Sequence, residues 1–133
     1  MQNKIISLSS DDFAQVVSHE LADDAGVFVG YLDGSAIATT QDFLDQVSVV
    51  FRFPFPSCNV DSFLDWIRDL QWLGTQRYVL VIRDFAHFMS QDQPGLDSIA
   101  GALIACVLPW WRGEVERCVV EGRAQQFDIY LVD

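Results

Sequence analysis

Tyr78-Val79-Leu80-Val81-Ile82 is a run of five residues with no charged side chain, aromatic or aliphatic throughout. A strand wet on one face alternates apolar and polar residues, whereas this one is apolar on both faces and reads as strand buried on each side. Two further runs have the same character: Val27-Phe28-Val29-Gly30-Tyr31-Leu32 upstream and Phe127-Asp128-Ile129-Tyr130-Leu131-Val132 downstream. Forty-five residues separate the first two runs and forty-four the last two. Hairpins use far shorter connections, while helical crossovers fit such lengths, so parallel pairing is predicted. The fold class is therefore α/β.

The intervening segments carry helix starts. Ser10 can cap a helix with Phe13, Val16, Val17 and Leu21 on one face, and Thr39 or Thr40 can cap another with Phe43, Leu44 and Val47 inward. Asp42, three residues after Thr39, gives a variant of the capping box. A third helix is expected from Asn59 to about Leu73, ended by Gly74. A fourth follows Pro94-Gly95, with Ile99, Leu103, Ile104 and Val107 inward. Pro109 suits the first position of a fifth, with Trp111, Val115, Cys118 and Val119 on one stripe. Residues 1–24 read as a helical extension in front of a domain formed by residues 25–133.

The 133 residues suffice for a single core without disulfide or metal staples. Half are apolar, so this is no solvating acidic tail. Nineteen acidic and eight basic residues leave a formal charge of -11. Phosphate binding needs an excess of Lys and Arg, so nucleic acid is excluded as a direct ligand and anionic membranes are disfavoured. The first seventy residues hold a net -8 of this charge, and fifteen of the nineteen acids are Asp. Asp is a poorer helix former than Glu, so helix stability does not explain the choice; solubility is one explanation that does not require a site. Cys58, Cys106 and Cys118 form no CxxC and no even framework, as expected of reduced thiols in a cytoplasmic protein. The longest largely apolar stretch, Ile99 to Trp111, contains Pro109 and is shorter than a bilayer span.

Enzymatic motifs are sparse. No phosphate-binding glycine loop, nucleophile elbow or HExxH is found, and Gly26, Gly30 and Gly34 lack the dinucleotide spacing. His19 and His87 have no cysteine or second histidine at ligand spacing, and no metal or cofactor is assigned. His87 follows the second strand within Asp84-Phe85-Ala86-His87, at the strand end where α/β proteins bind ligands. A small-molecule enzyme using Asp84 and His87 is thus one reading.

The other centres on Asn59-Val60-Asp61-Ser62-Phe63-Leu64-Asp65-Trp66-Ile67-Arg68-Asp69-Leu70-Gln71-Trp72-Leu73. At about 100° per residue, Phe63, Trp66, Ile67, Leu70 and Leu73 face one side and Asp61, Asp65 and Asp69 the other. Like charges at i, i+4 weaken an isolated helix by about 0.2–0.5 kcal/mol per pair. The ridge is either an indifferent solvated face or a docking face for a basic partner. A catalytic carboxylate pair needs a cleft that a convex helix lacks, and three Asp on one helix provide too few converging oxygens for a metal. Trp72 falls amid the aspartates if the helix persists that far, where it would anchor an interface; otherwise it folds back over the core.

This segment resembles the barstar family of intracellular ribonuclease inhibitors, whose helix begins Asn-Leu-Asp-Ala-Leu-Trp-Asp-Cys-Leu. Leu32-Asp33-Gly34 with Ile37 and Asp42-Phe43, Tyr78 to Ile82, and Phe127 to Leu131 are similar to the family's strands and first helix, in the same order over roughly residues 25–133. Phe55 takes the place of a family Tyr, Leu64 that of a common Trp and Ser57 that of a Gly, while Pro54 and Pro56 bracket Phe55; residues 108–126 are longer than in short members. The resemblance implies a three-stranded parallel sheet packed by about four or five helices. It further implies a monomeric, non-enzymatic inhibitor of a small basic extracellular-type ribonuclease or ribonuclease toxin. In it Asp61 and Asp65 would imitate phosphate against the nuclease's cations, with Phe55, Asn59, Asp69 and Trp72 at the margin. An acidic face also speeds encounter with a basic enzyme. The inhibitor–nuclease pair of this family is itself the standard example of such steering, so that agreement carries no independent weight.

Overall fold

A computed structural model describes residues 3–21 and 26–133. Its strands are β1 (Ile5–Leu8), β2 (Val27–Asp33), β3 (Arg77–Arg83) and β4 (Gln126–Val132), all parallel, in the order β1-β4-β3-β2. The three predicted strands are present within a residue at each end. The sheet nevertheless has four strands where three were expected. Ile5–Leu8 pairs with Ile129–Val132, so the described part of the N-terminal segment begins with a strand and only then becomes helical. Residues 1–2 and 22–24 of that expected extension lie outside the described residues. A strand of four with an alternating exposed and half-buried pattern, Ile-Ile-Ser-Leu, is too short to stand out from sequence.

Both faces of the sheet are covered, as the continuous apolar runs require. Tyr78, Leu80 and Ile82 point into the larger core, beneath α2 (Thr40–Val50), α3 (Val60–Ile67) and the long helix starting at Gln93; Val79 and Val81 point to the other face, where Phe13 and Leu21 cover them. Phe13 belongs to α1 (Ser10–Val16), which continues as a π-helical turn over Val17–Leu21. The cap is Ser9, whose hydroxyl accepts the Asp12 N–H, one residue before the expected Ser10. Gly30 allows β2 to sit close under Phe51: a Cβ there would lie 2.5 Å from the ring.

α2 starts as expected. Thr39 accepts the Asp42 N–H at 3.1 Å, and Asp42 accepts the N–H groups of Ala38 and Thr39 at 3.0 and 3.1 Å. These donors hold the Asp42 carboxyl below its ordinary value. A depressed carboxylate contributes stability above the ordinary Asp range and loses it as pH falls through the folded value. Acidification through that range should therefore fray the first turn of α2 ahead of the core, read by amide exchange at Phe43. Thr39→Ala should cost about 1 kcal/mol at neutral pH, read by urea unfolding.

The chain from Gln93 to Cys118 is one helix of 26 residues, not two. Pro109 does not begin a new helix; π-helical turns at Leu103–Val107 and Trp110–Glu114 lie on either side of it and accommodate the missing donor. They serve a second purpose. The inward residues Ile99, Leu103, Val107, Trp111 and Val115 recur every four positions. In an unbroken α-helix that spacing would drift by about 40° per step, about 160° over the series. Widened turns keep the stripe on the core. By length and composition this helix could cross a membrane, longer than the apolar stretch suggested, yet here its inward stripe forms part of the core.

Candidate functional site

The segment before α3 is pinned from below. Ser48 on α2 donates its hydroxyl to the Leu44 carbonyl at 2.6 Å and accepts the Ser57 N–H at 3.0 Å, while the Phe53 N–H reaches the Ser48 carbonyl. Ser57 is thereby buried, and Pro54, Phe55 and Pro56 are held outside. Phe55 remains 68% exposed.

Asn59 caps α3, its Oδ1 accepting the Ser62 N–H at 2.8 Å. Phe63 and Ile67 are buried, which directs Asp61 and Asp65, a turn apart, to solvent. Among the described residues neither aspartate forms a salt bridge. Arg68 does not relieve them: its guanidinium lies over the Trp110 ring, 5.1 Å from the centroid. Two unpaired carboxylates one turn apart, on a rigid capped helix, leave their acceptor capacity open to a guanidinium or ammonium from outside. Asn59→Ala should cost about 1 kcal/mol of stability and loosen both aspartates, seen as faster amide exchange at Ser62 and Phe63.

The helix ends sooner than expected, at Ile67, and this redistributes the remaining candidates. Two indoles from the long helix take over the carbonyls at its end: Trp111 Nε1 donates to Ile67 at 3.0 Å and Trp110 Nε1 to Arg68 at 2.8 Å. Leu70 then turns the chain with φ at +55° while its side chain stays buried. Asp69 consequently leaves the ridge, accepts the Gln71 N–H, and lines a separate cleft with Arg68, Tyr78 and Arg123. Its charge there, together with burial as the larger cause, pushes the Tyr78 hydroxyl up. Trp72 lies in a short 3-10 turn over Gln71–Leu73, folded back with Nε1 donating to the Phe51 carbonyl at 2.9 Å.

An aromatic wall beside Asp65 comes from a residue that the sequence placed in the core. Trp66 is half-buried, with its ring 6.3 Å from Phe55 and 5.7 Å from Trp72 between centroids. Leu64, where the family commonly has Trp, is instead packed against the core. The signal for Trp66 was present: it sits at the edge of the apolar half of the helical wheel, where a large ring reaches both core and solvent. At the strand ends, a cleft includes Asp84, but His87 does not line it. No group of three potential metal ligands occurs among the described residues.

Together these features define a class: a parallel α/β domain with an exposed helix face carrying two unpaired aspartates beside an aromatic wall. The sequence match is to the family described as Barstar (barnase inhibitor), whose model covers residues 27–130, and the chain belongs to the barstar family. Members of that family are inhibitors rather than enzymes. No curated protein matches the chain. Among solved structures it is similar to one described as "Structure of the Aeropyrum Pernix ORC2 protein (ADPNP-ADP complexes)", at 11% identity and a TM-score of 0.56. That match covers 98% of this chain and 34% of the other, so the chain spans about a third of it; at this identity the likeness is one of fold alone.

Proposed function

We propose that this protein inhibits a small basic ribonuclease in the cytoplasm by setting Asp61 and Asp65 into the cationic centre where the nuclease holds RNA phosphate. The observation that supports this most is the pair of outward aspartates, without a salt bridge among the described residues, on a capped helix inside the span that matches the family. Phe55 and Trp66 form a half-exposed aromatic wall beside them, the composition expected at the centre of an interface. Asn59 acts by holding the helix start. Trp72 contributes indirectly, supporting Trp66 from behind, whereas Asp69 faces another cleft and stays outside the contact.

The test is an inhibition titration against a panel of basic ribonucleases that includes barnase. Association should be fast at low ionic strength and slow markedly as salt shortens the Debye length from about 30 Å at 0.01 M to about 8 Å at 0.15 M. Salt-independent association, or no inhibition across the panel, would count against the proposal. A barstar-like scaffold docking on another basic protein is the second reading, favoured by the aromatic wall being supplied from position 66 and not 64. It predicts salt-sensitive capture of a basic protein without ribonuclease inhibition.

A further inference from the structure

On the face of the sheet opposite α3, the first turns of α1 stand off from the carboxyl ends of β2, β3 and β4. The gap is a cleft of about 460 Å³ lined by Ser10, Phe13, Val17, Tyr31, Arg83 and Asp84, with Val132 at its base. That volume lies within the range of about 300–1,000 Å³ usual for small-molecule sites, and strand carboxyl ends are where open α/β sheets bind ligands. Phe13 belongs to α1 and Val17 to the π-helical turn that continues it, both outside the matched span 27–130, and the cleft lies on the sheet face opposite Asp61 and Asp65.

Its chemistry is divided. Phe13, Val17, Tyr31 and Val132 make an apolar wall, with Phe13 set edge-on to Tyr31 at 6.3 Å. Arg83 and Asp84 supply opposite charges at the rim. The Arg83 guanidinium rests 4.5 Å from the Tyr31 centroid, which fixes it in place, and it forms no salt bridge among the described residues. Asp84 follows directly, and its left-handed backbone (φ 50°, ψ 49°) turns the chain at the end of β3. Two charges that do not pair with each other offer one site for an anion and one for a cation. A simple anion would enter against the -11 of the whole chain, whereas a zwitterion enters without net charge.

We propose that this cleft binds a free α-amino acid with a large apolar side chain, its carboxylate on Arg83, its ammonium on Asp84 and its side chain against Phe13, Val17 and Val132. The site is independent of ribonuclease inhibition and survives if that reading fails.

The experiment is an amide-resolved NMR titration of the full chain with L-phenylalanine, L-leucine, phenylacetate and phenethylamine. The two amino acids should shift the signals of Tyr31, Arg83 and Val132 and saturate below about 10 mM, while the two half-ligands bind at least about tenfold more weakly. Arg83→Gln and Asp84→Asn should each weaken L-phenylalanine about tenfold or more; Asn tolerates the left-handed backbone that Asp84 adopts. Binding of phenylacetate as tight as L-phenylalanine would overturn the assignment, as would shifts elsewhere or none at all. The four-ligand comparison needs only the parent protein, so it decides the question even if a variant fails to fold.

Discussion

Replacing Asp61 and Asp65 together by alanine should weaken inhibition of a cognate basic ribonuclease by more than about a thousandfold while leaving the protein as stable as before. Each aspartate would meet a cation that becomes desolvated on binding, and removing one partner of such a pair costs about 3–5 kcal/mol because the other is left uncompensated. At about 1.4 kcal/mol per factor of ten, each single variant should lose about a hundredfold or more. The effect on folding is small because two terms oppose. Asp61 in the first turn gains about 0.3–1 kcal/mol from the helix dipole, while the Asp61–Asp65 repulsion costs about 0.2–0.5 kcal/mol. Asp→Asn versions keep the shape and should lose nearly as much, separating charge from packing. Asp69→Ala is the internal control. Since it lies off the ridge, inhibition should change less than about threefold, within the usual effect of remote surface substitutions. Unchanged inhibition by the double variant would remove Asp61 and Asp65 from the site.

The second large effect is on stability. Asp128 is completely buried in β4 and accepts from Arg77 Nη2 at 2.9 Å, Gln126 Nε2 at 2.7 Å and the backbone N–H of Lys4 at 3.2 Å. Glu20, at 3.7 Å, adds a weaker, more exposed partner to Arg77. Arg77→Met should destabilise the protein by about 3–5 kcal/mol, since it strands a buried carboxylate, and total stabilities of small domains are only about 5–15 kcal/mol. Arg77→Met combined with Asp128→Leu should recover much of that loss, because replacing a buried ion pair by apolar residues of similar size is often close to neutral. Recovery should fall short by about 1–3 kcal/mol, the cost of leaving the Lys4 N–H without an acceptor. Urea unfolding of the parent, both single variants and the double variant measures the coupling directly. A single variant as stable as the parent would show that the pair adds nothing to the fold.

Much of the scaffold was legible in sequence because it rests on short-range signals. β2, β3 and β4 announce themselves as uninterrupted apolar runs, and their spacing implies parallel pairing; Thr39 and Asn59 are caps whose donors lie three residues away. Two of the misses depend on partners distant in sequence. β1 is a strand only because β4 pairs with it. α3 stops at Ile67 because two indoles more than forty residues on satisfy its last carbonyls, so the wheel that placed Asp69 on the ridge continued past the end of the helix. Pro109 looked like a helix start because π turns cannot be inferred from propensity. For the candidate site the same division holds: Asp61, Asp65 and Asn59 follow from helical periodicity and capping, whereas Trp66, at the edge of the apolar half of the wheel, is placed in the wall by its packing against Phe55 and Trp72.

The pairing of β1 with β4 also bears on the order in which the protein assembles. Ile5 lies opposite Ile129, and the Ser10 N–H reaches the Asp133 carbonyl, so this edge of the sheet closes a loop of nearly the whole chain. Closure entropy rises as (3/2)RT ln n, about 4 kcal/mol for a loop of this size apart from a constant. Contacts so distant in sequence form late. Of the four strands β1 is therefore expected to dock last, held in waiting until β4 has joined β3 and Asp128 is in place to receive the Lys4 N–H.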